Sequence, residues 1–100
     1  MLTQQNILNF LSENKLFLRE QFHVVKIGIF GSFARNEQNP DSDIDILIEM
    51  ENNVSNVYDL KWNLREFLKN QFQRDVDICN SKHIKPYAKD YILKDAIYVY

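Results

Sequence analysis

Two apolar β-type runs constrain this fold more than any other feature, because both are interrupted by residues that burial alone does not require. Val24 to Phe30 is rich in β-branched residues, and alternation predicts Val25, Ile27 and Ile29 on one face, with Val24, Lys26, Gly28 and Phe30 on the other. This run ends on Gly31-Ser32. The second run, Asp43 to Met50, carries Asp43 and Asp45 between apolar neighbours. A period of two residues turns Ile44 and Ile46 into a core and projects the two carboxylates together from the opposite face. Arg74 to Cys79 repeats the pattern, with Val76 and Ile78 facing one way and Asp75 and Asp77 the other.

Helical spacing surrounds these strands. Thr3 to Glu13 places Ile7, Leu8 and Leu11 on one face. Asn14 is expected to cap a second helix to about Gln21, burying Leu16 or Phe17 with Leu18 and Phe22. Ser32 to Arg35 reads as a short helical turn, followed by a polar loop, Asn36 to Ser42, that contains Pro40. Ser55 is expected to cap a long helix to about Phe72, striped by Val57, Leu60, Leu64, Phe67 and Leu68. Pro86 to Leu93 suits a helix that starts on Pro, and Ala96 to Tyr100 suits an edge strand. The order α-α-β-β-α-β-α predicts an α+β fold, a small mixed β-sheet with helices packed on it in two layers. At 100 residues the expectation is a single domain spanning 1–100.

Several classes fall away. No apolar run approaches the ~18 residues that cross a membrane. The first residues lack the basic flank and apolar run of a signal peptide. Cys79 is the single cysteine, so no internal disulfide forms, and a reducing cytoplasm is the expected setting. A net charge of −2 argues against binding duplex DNA. His23 and His83 are isolated and show no zinc spacing. Asp41-x-Asp43-x-Asp45 is not a calcium loop, because Ile46 stands where Gly is needed and Asn52 where Glu is needed. No Gly-Lys-Ser/Thr follows the glycine turn, which excludes a Walker loop.

The charge distribution points to chemistry. Asn36 to Leu60 holds seven acids and no Lys or Arg, whereas Lys61 onward holds eight basic residues against five acids. Two carboxylates ~6.6–6.8 Å apart along one strand face repel each other, and a divalent cation removes the repulsion. Hard oxygen ligands suit Mg²⁺. If the third strand pairs beside the second, Asp77 joins Asp43 and Asp45. Three such carboxylates suit two cations ~3.5–4 Å apart, the arrangement of two-metal phosphoryl chemistry. Gly31 permits a sharp turn and close ligand approach, and Ser32 adds a hydroxyl for a phosphate. Arg35 is placed to pair with a phosphate or to brace an Asp of the loop.

Gly31-Ser32, ten intervening residues, Asp43-x-Asp45 and a later strand Asp77 together resemble the minimal nucleotidyltransferase family, within the DNA polymerase β-like superfamily. The likeness runs from about Phe22 to Tyr100 and includes Ile84-Lys85-Pro86-Tyr87 and the stretch Ile92 to Tyr98. Asn36 stands where members often carry Gly, and Asn tolerates positive φ. The resemblance implies a polymerase β-like palm fold and an antitoxin that transfers AMP from ATP to a tyrosine of a HEPN-domain RNase toxin. It implies that Asp43 and Asp45 ligate two Mg²⁺ ions, that Asp77 binds the catalytic ion and helps deprotonate the attacking hydroxyl, and that Gly31 and Ser32 hold the β- and γ-phosphates. Arg35 takes a supporting role. The absence of an acceptor-binding domain fits an acceptor delivered by a partner. Two rivals stand beside this expectation: an antitoxin that masks its partner without catalysis, and a transferase acting on a small-molecule hydroxyl.

Overall fold

Helix α1 (Gln4–Glu13) opens on a reciprocal cap. The Asn6 N–H donates to Thr3 Oγ1 at 3.1 Å and the Thr3 N–H donates to Asn6 Oδ1 at 3.0 Å, satisfying two donors that a helix start leaves orphaned. Helix α2 (Lys15–Phe22) follows almost at once. Asn14 stands at its start but does not cap it: its amide donates back to the Phe10 carbonyl at 2.8 Å. That carbonyl, in the last turn of α1, also accepts from the Asn14 backbone N–H at 3.1 Å. Leu18 and Phe22 are buried, Leu16 faces outward, and the partly exposed Phe17 ring packs on Phe22 and Phe67. The computed structural model describes residues 2–100.

Four strands form one sheet: β1 (Val24–Phe30), β2 (Ile44–Met50), β3 (Val76–Asn80) and β4 (Ile97–Val99), in the order β3-β2-β1-β4. β1 runs antiparallel to β2 and β4, and β2 runs parallel to β3. A parallel pair needs a crossover, which helix α4 (Val57–Phe72) supplies. The predicted mixed sheet with helices on it is therefore the observed fold, and β4 is the predicted edge strand. A four-residue helix, α3 (Gly31–Ala34), follows β1, and helix α5 (Pro86–Lys94) joins β3 to β4 after a 3₁₀ turn at Ser81–His83. Helix α4 starts one residue after Asn56, not on Ser55.

The core lies between one sheet face and the helices. Ile44, Ile46, Ile48 and Met50 of β2 pack there with Ile7, Leu11, Leu18, Phe22, Leu60, Leu64 and Leu68. Each such side chain taken fully out of water contributes roughly 1.5–3 kcal/mol. One part of the alternation reading is corrected. The β1–β2 register shifts between Val24 and Lys26, so Val25 is an extra residue that stands 44% exposed. Val24 joins Ile27 and Ile29 in the core instead. Beyond the bulge, Gly28 and Phe30 pair with Leu47 and Asp45. Among the described residues, no helix is long and apolar enough to cross a membrane.

Candidate active site

The odd-numbered residues of β2 leave the core face, and Asp45 is one of them. Across the antiparallel ladder its partner is Phe30, the last residue of β1, and across the parallel ladder its partner is Asp77 of β3. Direct partners share a sheet face, so Asp45 and Asp77 project together from neighbouring strands. The chain then turns at Gly31, whose φ of +73° suits glycine. A Cβ at Gly31 would overlap the Asp45 carboxylate at Oδ2. The glycine therefore lets the β2 carboxylate press against the turn that ends β1.

Helix α3 is anchored from three directions. Phe33 is fully buried, and the Gln4 amide of α1 donates to the Phe33 and Ala34 carbonyls at 3.2 and 2.9 Å. The Arg74 guanidinium lies over the Phe33 ring at 5.3 Å. Asn36 adopts φ 57° just beyond α3, the left-handed conformation that Asn tolerates.

The loop that leads to Asp43 is a turn stabilised by its own polar groups. Ser42 N–H donates to the Asn39 carbonyl at 3.0 Å, and the Asn39 N–H donates to Ser42 Oγ at 2.9 Å. Arg74 Nη1 donates to the Asn39 and Ser42 carbonyls at 3.1 and 3.0 Å. The Ile44 N–H donates to the Asp75 carbonyl at 2.9 Å. One guanidinium thus joins the start of β3, the loop carrying Asp43 and the buried ring beside Gly31-Ser32.

A cavity of about 340 Å³ opens where these parts meet, walled by Gly31, Ser32, Arg35, Asp43, Asp45 and Tyr91 among others. Asp77 is not among its walls. Burial, then the charges of Asp77 and Asp43, push the Asp45 carboxyl up to about 6 from its ordinary 3.8. A hard dication would relieve that penalty, and carboxylate oxygens are the donors it prefers, so the residues fit the implied Mg²⁺. Among the described residues no three such side chains already close on one point. Asp45 stands on β2 and Asp77 on β3, whereas Asp43, expected at the start of the second strand, lies on the loop one residue before β2. A second cavity, of about 530 Å³, shares Ser42 and Asp43 and continues past Arg74 and Lys69.

Arg35 lines the first cavity, but its guanidinium is engaged. Nη1 donates to Asp95 at 3.1 Å and Nε donates to Glu37 at 3.2 Å. Asp75 is exposed and pairs with Lys69 at 3.5 Å, and Asp41 is exposed on the loop. Burial pushes the half-buried Cys79 thiol up, which makes it a poor nucleophile. The sequence reading missed Arg74, Asp95 and Tyr91. Arg74 had a visible signal, a cation directly ahead of an acidic strand. Asp95 and Tyr91 had none, because Asp95 meets Arg35 across 60 positions.

A mixed sheet backed by helices, with a glycine turn closed on a strand carboxylate, defines a small α+β domain of the nucleotidyl-transfer type. Residues 11–99 match the nucleotidyltransferase domain family, and the chain belongs to it. It is 35% identical over 99 residues to the protein adenylyltransferase MntA of Thermococcus cleftensis, covering 99% of this chain and 98% of that one. A solved structure described as a candidate minimal nucleotidyltransferase has a TM-score of 0.76 at 27% identity, covering 96% of this chain and 95% of that one. An MNT antitoxin complex with a tri-AMPylated HEPN toxin of Shewanella oneidensis shares the fold, with a TM-score of 0.63 at 23% identity over 98% of this chain and 72% of that one.

Proposed function

We propose that this chain is an antitoxin that transfers AMP from ATP to a tyrosine hydroxyl of a HEPN-domain toxin and so neutralises it. The observation that carries the reading is the Asp45 carboxylate, pressed against the Gly31 turn and directly beside Asp77 in the ladder. Support also comes from the relative named as a protein adenylyltransferase and from the AMPylated toxin in the complex of the same fold. A cytoplasmic setting, where Cys79 stays reduced, suits such a pair.

In this reading Asp43 and Asp45 hold two Mg²⁺ ions and Asp77 holds the catalytic one. Bound Mg²⁺ supplies positive charge to the triphosphate and acidifies the attacking hydroxyl. Gly31 leaves room for the β- and γ-phosphates at the turn, and the Ser32 hydroxyl donates to them. The tyrosine oxygen bonds to the α-phosphorus while the bond from that phosphorus to the β-phosphate bridging oxygen breaks, and pyrophosphate leaves. The phenolic proton passes to the Asp77 carboxylate, acting as general base.

The test is to incubate the purified chain with α-labelled ATP, Mg²⁺ and a candidate HEPN-domain partner. Label is expected on the toxin, and intact mass should count the AMP units. Asp43→Asn with Asp45→Asn should abolish labelling while the complex still forms. Neutralisation that survives this double substitution undiminished would refute the catalytic reading in favour of simple masking.

A further inference from the structure

The walls of the candidate active-site cavity are mostly polar or charged, with two aromatic exceptions, Phe30 and Tyr91, that the roles above leave unused. Tyr91 of α5 lines the same cavity as Ser32, Asp43 and Asp45, yet stands 72% exposed. A large aromatic side chain kept in water at the mouth of an anionic cavity does nothing there for the core. Helix α5 buries no residue of its own, and an ion pair at its end ties it to the site. Asp95 lies four residues after Tyr91, one helical turn on, and its carboxylate accepts from Arg35 at 3.1 Å. Arg35 in turn closes the segment that follows Gly31-Ser32. The pair therefore ties the end of α5 to the glycine turn and sets Tyr91 over the cavity that the turn lines.

We propose that Tyr91 is the platform on which the base of the bound nucleotide stacks, a proposal that rests on the ATP-using reading above. The other cavity groups suit only part of such a ligand. Ser32 and the carboxylates serve a triphosphate and its cations, whereas a purine ring is an apolar plate that needs an aromatic face. Phe30 is the other aromatic wall, half-buried and held in the ladder opposite Asp45. Tyr91 is the aromatic wall with a face free to receive a ring. A volume of about 340 Å³ lies within the range of pockets that take small ligands, ~300–1,000 Å³. Arg35 and Asp95 are then positioning residues for this platform. Stacking uses the ring and not the hydroxyl, so phenylalanine is equivalent and alanine is not.

The test is an equilibrium calorimetric titration of the full chain, without acceptor, using two probes: ATP with Mg²⁺ and inorganic tripolyphosphate with Mg²⁺. Relative to wild type, Tyr91→Ala should weaken ATP about tenfold or more and leave tripolyphosphate within about twofold, while Tyr91→Phe binds both normally. Tyr91 is exposed, so thermal melts of both variants should match wild type. ATP affinity unchanged in Tyr91→Ala overturns the platform and leaves the transferase reading intact. Equal weakening of both probes, or a Tyr91→Phe defect as large as that of alanine, overturns it as well. A wild-type chain that binds no ATP brings down the transferase reading and this proposal together.

Discussion

Asp45 and Asp77 stand directly opposite one another in the parallel β2–β3 ladder, on the same face of the sheet. Burial, and then the like charges of Asp77 and Asp43, push the Asp45 carboxyl up to about 6. Such a site is strained toward its own ligand, because a cation would remove the repulsion.

A pH dependence of stability follows. In the unfolded chain this carboxyl titrates at its ordinary 3.8, and in the metal-free fold at about 6. Between those values the folded state holds a proton that the unfolded state has lost, so Asp45 lowers stability as pH rises. Its favourable contribution is complete below 3.8 and gone above about 6. In chelator, Asp45→Asn should melt about 2–5 °C above wild type at pH 7 and show no such advantage near pH 3.5. Thermal melts across that range check this, and identical midpoints at pH 7 would count against a strained Asp45.

Gly31→Ala carries two penalties. The φ of +73° costs an L-residue roughly 1–2 kcal/mol, and the new methyl displaces the Asp45 carboxylate. The chain should remain folded with a lowered denaturant midpoint, while AMP transfer falls about a hundredfold because a reacting constellation tolerates little misplacement. Wild-type transfer by this variant would mean that the turn is not part of the site.

Gly28 answers a different need. A Cβ there would overlap the Ile97 carbonyl oxygen and crowd the Tyr98 Cα at 2.9 Å, because β4 lies against it. Gly28→Ala should lift the edge strand, costing about 1–3 kcal/mol. Hydrogen exchange should show lost protection at Ile97 and Val99 with little change in β2 and β3. Since α5 connects to β4, the variant should also loosen the Arg35–Asp95 contact.

Arg74 holds the loop that delivers Asp43, through two carbonyls and the face of Phe33. Arg74→Ala is expected to cost about 1–2 kcal/mol in chemical denaturation. Amide exchange should quicken at residues 39–43, and the Mg²⁺ concentration giving half-maximal transfer should rise. Arg74→Lys should recover part of this, since one ammonium keeps the charge but lacks the planar fork. An unaltered Mg²⁺ requirement in both variants would confine Arg74 to a purely structural part.

Sequence alone determined the elements and the faces on which their residues lie. The α+β class, the strands carrying Asp45 and Asp77 with Asp43 just ahead of one of them, and the glycine turn were legible because a period of two and a left-handed bend are local properties. Even there, one extra residue at Val25 exchanged the roles of Val24 and Val25, since a bulge leaves no local mark. The tertiary structure decided which strands neighbour each other, and so that Asp45 meets Asp77 rather than merely resembling it. It also gave Arg35 to Asp95, Arg74 to the Asp43 loop and Tyr91 to the cavity. Those contacts join segments far apart in the chain, and such partners are selected by the packing of the whole sheet and its helices, which no local pattern encodes.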